Sequence, residues 1–182
     1  MNETSASLHT PDSNDPSDGR KMCAWESKYP KPARLEIRCE AVYLIIVLIC
    51  AYILILLTWN NSPEFVFSAF SPEKSLTLRR YAFYAFSGML GGAVFGIKYF
   101  YRVVARGWWH QDRRIWRIKS PFMGMSLGFI FGAMLESGVM RIEGLSSTPG
   151  IVSVGFLVGY CADTASAKMI VIANAIFGIK EK

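Results

Sequence analysis

The sequence predicts an all-α integral membrane protein, four transmembrane helices behind a disordered tail, and three observations carry that prediction. Apolar residues, 52% of the 182, come in long charge-free blocks and are not spread as a soluble core would spread them. The net charge of +6 is concentrated beside those blocks. In two of the blocks glycine recurs at every fourth position, Gly88, Gly92 and Gly96 in one and Gly124, Gly128 and Gly132 in the other.

Residues 41–59 run for 19 positions without a charge, about what a ~30 Å hydrocarbon core requires at ~1.5 Å per residue. Residues 81–97 and 121–135 are also charge-free and reach membrane length once Lys98 and Glu136 lie near an interface. A fourth block, 151–162, continues past Asp163 and Lys168. The expected spans are 41–59, 81–101, 121–140 and 151–177, inside a membrane domain of residues 35–182. For the last, one continuous helix is favoured over a half-helix followed by an interfacial helix, because the sequence has no breaker between Gly159 and Gly178.

Residues 1–34 are rich in Ser, Asp, Pro and Lys and cannot bury enough surface to offset chain entropy, so a disordered cytoplasmic tail is expected. That tail is either a docking arm for a cytoplasmic partner or simply solvated. The first span, Leu- and Ile-rich all round and without glycine, reads as lipid-facing, with Trp59 at the outer interface. Residues 64–78 read as an interfacial segment divided by Pro72, or as a loop with its aromatics folded inward. Pro121 stands where the third helix should begin, a position at which its missing N–H is harmless.

Charge fixes the orientation. Lys98, Arg102, Arg106, Arg113, Arg114, Arg117 and Lys119 crowd the connection between the second and third spans, and further basic residues precede the first. By the positive-inside rule both termini and this connection are cytoplasmic. Its Arg106, Trp108, Trp109, Arg113, Arg114, Trp116, Arg117 and Lys119 are expected at lipid headgroups, since both side-chain types combine an apolar body with a polar tip. The same residues could stack on nucleic acid, but their place beside two spans favours the bilayer as partner. Four scattered cysteines, with only His9 and His110, form no disulfide framework or metal set, so neither metal nor cofactor is expected. No nucleophile–base pair or phosphate-cradling loop is present, which argues against an enzyme.

Glycines four apart share one helix face and leave a groove along which backbones approach closely, a main source of helix association in lipid. Gly155 and Gly159 add a shorter stripe. These helices are built to pack on each other or on another copy, hence an expected homo-oligomer. Two carboxylates continue the stripes: Glu136, four beyond Gly132, and Asp163, four beyond Gly159. A charge at membrane depth costs about 2.5–3.5 kcal/mol and needs a partner, water or a proton. Arg141 is the expected partner of Glu136 near the outer surface. Lys98 is that of Asp163, with Lys168 further along. Asp163 then serves as a structural clasp or as a permeation or proton-relay site.

The block Gly88…Gly96, Trp108-Trp109, Arg113-Arg114, Trp116, Pro121 and Gly124…Gly132, followed by Gly155-x-x-x-Gly159 with an acid, resembles small bacterial inner-membrane proteins of four spans. The resemblance covers roughly residues 81–178. Some proteins of this kind look like membrane effectors of phage-defence systems such as retrons, whose family role is to damage the membrane on infection. It implies a self-associating antiviral effector that permeabilises the bilayer when triggered; the other readings are a small transporter or channel subunit using Asp163, and a passive anchor or scaffold. A reporter active only in the periplasm should stay silent when fused after Lys119 or after Lys182; activity at either point would overturn the orientation.

Overall fold

The computed structural model describes residues 27–60, 72–140 and 147–177. Among the described residues every regular element is helical: α1 (Lys31–Trp59), α2 (Pro72–Ala105), a 3-10 turn (Gln111–Arg113), α3 (Arg114–Glu136), α4 (Thr148–Tyr160) and α5 (Ala162–Phe177). Residues 1–26 of the expected tail, 64–71 of the 64–78 segment, Arg141, and residues 178–182 of the expected membrane domain lie outside the described residues. Two helical stretches are long and apolar enough to cross a membrane, Lys31–Trp59 and Gln111–Glu136.

Helix α1 begins at Lys31, before the tail boundary expected at residue 34. Pro30 is extended (φ −64°, ψ 160°) and a second proline occupies the first turn, where its fixed φ suits a helix start; the Arg34 N–H then donates to the Pro30 carbonyl at 3.0 Å. Nor is α1 apolar to lipid all round. Glu40, Leu44, Val47, Ala51, Ile55 and Thr58 are buried, a stripe at three- and four-residue spacings that defines one helix face. Val42, Ile46, Ile49 and Ile53 point outward. At its far end, Arg79 donates to the carbonyls of Thr58 at 3.0 Å and Trp59 at 2.8 Å. A cation thus satisfies carbonyls that have no intrahelical donor.

Helix α2 is the centre of the bundle, and the stripe of α1 packs on it: Val47 and Ala51 against Met89 and Ala93, Ile55 against Phe83 and Tyr84. Phe83, Tyr84, Ser87, Met89 and Ala93 are all buried. Its 34 residues reach about 51 Å at ~1.5 Å each, and it ends at Gly107, whose φ of 76° is open to glycine at little cost. There the Gly107 N–H meets the Val104 carbonyl at 3.2 Å and the Trp108 N–H meets that of Val103 at 2.9 Å, the paired bonds of a Schellman cap.

That cap reverses the chain, and α3 runs back along α2. A methyl on Gly88 would run into the Gly124 carbonyl oxygen, one on Gly92 would lie 2.7 Å from that of Ser120, and one on Gly132 would enter the Tyr84 ring. Residue numbers rise on one helix as they fall on the other, so the two are antiparallel. Beside α3 on α2, a methyl on Gly155 would strike the Ser87 hydroxyl, and one on Gly159 the Gly88 carbonyl; here both numbers rise together, so α4 is parallel to α2. Gly96 differs, since its methyl would meet only the Leu44 side chain, at 3.5 Å, and the Arg117 carbonyl, at 3.9 Å.

Two boundaries differ from expectation. Pro121 lies inside α3, which starts at Arg114; the missing proline N–H falls opposite the Arg117 carbonyl, and the helix absorbs the loss of that one bond. The segment expected as one continuous helix over 151–177 is divided at Cys161 (φ −101°, ψ 35°), where α4 ends, and α5 opens at the next residue. No glycine or proline is needed for this break. The chain restarts in a run of small polar residues whose side chains compete for backbone groups, as the Ser166 hydroxyl does by donating to the Ala162 carbonyl at 2.8 Å.

Gly88→Ala should destabilise the bundle by about 1–3 kcal/mol, as overpacking does, because α3 and α4 both approach that position. Gly96→Ala should be neutral or slightly stabilising. Thermal unfolding in detergent micelles separates the two, and equal melting points would overturn this account of helix approach.

Candidate functional site: a polar clasp at the basic end

Glu36 and Glu40 are four residues apart and share one face of α1. That face meets the α2–α3 connection at the end of the bundle where the basic residues collect. Arg117, from the first turns of α3, donates through Nε to Glu40 Oε1 and through Nη2 to Oε2 at 3.0 Å. Trp109 Nε1 donates to the same Oε2 at 2.9 Å, and its ring lies 6.0 Å from the Arg117 guanidinium. Glu40 and Arg117 are each 1% exposed. One carboxylate therefore gathers α1, the connection and α3, with three charge-assisted bonds converging on two oxygens.

Around it the contacts are weaker and wetter. Tyr29, just before α1, donates its hydroxyl to the Val104 carbonyl at 3.2 Å, accepts the Trp109 backbone N–H at 3.2 Å and packs edge-on against the Trp109 ring. Arg114 lies 3.7 Å from Glu36, which also accepts from Gln111 at 3.4 Å. Tyr43 donates to the Ile118 carbonyl at 3.1 Å. Among the described residues, Arg117 Nη1 and Arg114 Nε are buried without a hydrogen-bond partner. Two ions taken out of water recover their desolvation cost only when the geometry is good and the remaining donors are satisfied. The clasp meets the first condition and falls one donor short of the second.

The headgroup set therefore divides. Arg106, Trp108, Arg113, Trp116 and Lys119 are exposed, with Arg106 stacked 5.3 Å from the Trp108 ring. Arg114 is half-buried against Glu36, and Trp109 and Arg117 turn inward, so these last two are protein-facing and not at lipid headgroups. The physical reason is Glu40, which sequence reasoning passed over as part of the charged approach to the first span. A clue lay in view: Glu36 and Glu40 precede the span at helical spacing, opposite a connection crowded with base.

Elsewhere the expected charges find other neighbours. Glu136 pairs with Arg80 at 3.1 Å, half in water, where such pairs contribute about 0–1 kcal/mol. Lys98 donates to the Tyr160 hydroxyl at 2.8 Å and sits 5.6 Å from its ring; the Asp163 side chain lies outside the described residues. Lys168 is exposed on α5. Among the described residues no cluster of His, Cys, Asp or Glu could hold a metal ion. A carboxylate sealed under a guanidinium reaches no substrate, so the clasp's chemistry is holding, not turnover.

Glu40→Leu or Arg117→Met alone should each cost about 3–5 kcal/mol, since either leaves a buried charge unpaired. The double variant should recover most of that loss. Denaturant unfolding in detergent measures the cycle; additive costs would show that the two side chains do not interact. Comparison with protein-family models, curated proteins and solved structures finds no match to this chain.

Proposed function

We propose that the chain is a non-enzymatic, multi-span protein of a bacterial inner membrane, with termini and basic connection cytoplasmic, that anchors a cytoplasmic partner at the membrane surface. The clasp carries this reading. By fixing Tyr29, Glu36 and Glu40 to the α2–α3 connection it gives residues 1–26 a rigid point of departure beside a basic surface. In this reading α1, α2 and α3 cross the bilayer in alternating directions. Helix α4, 13 residues or about 20 Å, is short of ~30 Å, so α5 completes the fourth crossing. The grooves at Gly88, Gly124 and Gly159 face helices of the same chain, which removes the need for a second copy to fill them.

Burial of the clasp favours one further reading, the membrane-perturbing effector of abortive-infection type. A partner that pulled α1 away would leave Glu40 and Arg117 unpaired in a dry environment, and rearrangement of the helices would follow. Regulated expression with a potential-sensitive dye distinguishes the two. The anchor predicts no depolarisation from wild-type or Glu40→Leu protein and a discrete adduct from a photo-crosslinker placed at position 25. Growth arrest and depolarisation on weakening the clasp would establish the effector instead, and solute-specific flux lost in Asp163→Asn would establish a channel.

A further inference from the structure

A second polar feature lies on the opposite side of α2 from the clasp. Phe95, Lys98, Tyr99 and Arg102 of α2 face Tyr160, Cys161 and Thr164 at the α4–α5 break, around a cleft of about 220 Å³. Its two cations are four residues apart, on one helix face. Among the described side chains, which do not include that of Asp163, neither has a carboxylate within ion-pair distance. Its walls are aromatic: Phe95 and Tyr99 stack at 6.3 Å, Phe95 meets Tyr160 edge-on at 6.0 Å, and Phe156 stacks on Tyr160 at 6.0 Å. The Lys98–Tyr160 bond holds one ammonium across the mouth, where its remaining N–H groups are free to donate.

Depth follows from the packing. Gly96 lies against Leu44, and α1 and α2 are antiparallel, so Lys98 and Arg102 stand level with residues 38–42 of α1, where its charge-free block begins. That is the boundary between headgroup and hydrocarbon in the orientation proposed above. A cleft with two cations at headgroup level and aromatic walls toward the acyl side matches a phosphodiester with its glycerol backbone. We infer that Lys98, Arg102, Tyr99 and Tyr160 form a binding site for the phosphate of an anionic phospholipid in the same leaflet. The break at Cys161 then has a purpose: it opens the wall that a continuous helix would have closed.

The inference rests on the membrane reading, and the test separates their failures. Full-length protein is reconstituted in nanodiscs of phosphatidylcholine containing graded phosphatidylglycerol, and retained lipid is counted by native mass spectrometry. Protein that does not enter nanodiscs would overturn the membrane reading, and this site with it. Inserted wild-type protein should retain phosphatidylglycerol over phosphatidylcholine, and Lys98→Gln/Arg102→Gln should lower that preference at least tenfold. The charge-matched Arg113→Gln/Lys119→Gln should lower it less than twofold. Equal losses in both would reduce the effect to general surface charge and overturn the site. Inorganic phosphate or glycerol 3-phosphate displacing the lipid at millimolar concentration would overturn a lipid in favour of a soluble anion. A second readout does not depend on the charge variants folding. With Cys23, Cys39 and Cys50 replaced by Ser, phosphatidylglycerol should slow the reaction of Cys161, which is exposed at the cleft, with a membrane-permeant maleimide; an unchanged rate would overturn the site.

Discussion

The Glu40–Arg117 ion pair sets conditions that the rest of the basic end must meet. A carboxylate and a guanidinium that are both sealed from water leave the chain little latitude: either partner alone would be several kcal/mol out of place. The connection between α2 and α3 must therefore turn tightly enough to bring Trp109 over Glu40. It does so through the Gly107 cap. Helix α3 must start early enough to put Arg117 in its first turns, which is why its proline lies inside it and not at its head.

The two ends of α1 are held by different means. At the basic end the attachment is ionic and buried. At the Trp59 end it consists of carbonyls accepting from Arg79, with solvent close by. Between them, the one α2 glycine that faces α1, Gly96, meets the Leu44 side chain, whereas α2, α3 and α4 meet partly backbone to backbone. The bundle is thus a tight three-helix unit with a fourth helix laid along it, and the buried ion pair supplies much of the specificity of that last contact.

Much of this could be read from the sequence. The all-helical class and the apolar character of α1 and α3 follow from uninterrupted runs, a signal that sums over many residues. The clasp could not be read in the same way, because its partners are 77 positions apart and nothing local marks Arg117 among its basic neighbours. Boundaries failed where a single residue decided them. Pro32 started a helix early, Pro121 was tolerated inside one, and Cys161 ended one without glycine or proline. Each outcome depends on which backbone groups find other partners, a property of the folded neighbourhood.

The composition of α2 has a consequence for how such a chain is assembled. Its glycines, serine and buried tyrosine suit a helix surrounded by protein, and it falls short of the apolarity of the two stretches that qualify as crossings on their own. A translocon testing one segment at a time would hold α2 poorly. Helix α1 covers one face of α2, but the face that carries Gly88 and Gly92 stays open until α3 has emerged. At about 5–20 residues per second, the 23 residues of α3 take roughly 1 to 5 s to synthesise. In the membrane reading proposed above, that interval would leave α2 open to insertases and membrane proteases, and α2 and α3 would enter the bilayer together as one hairpin.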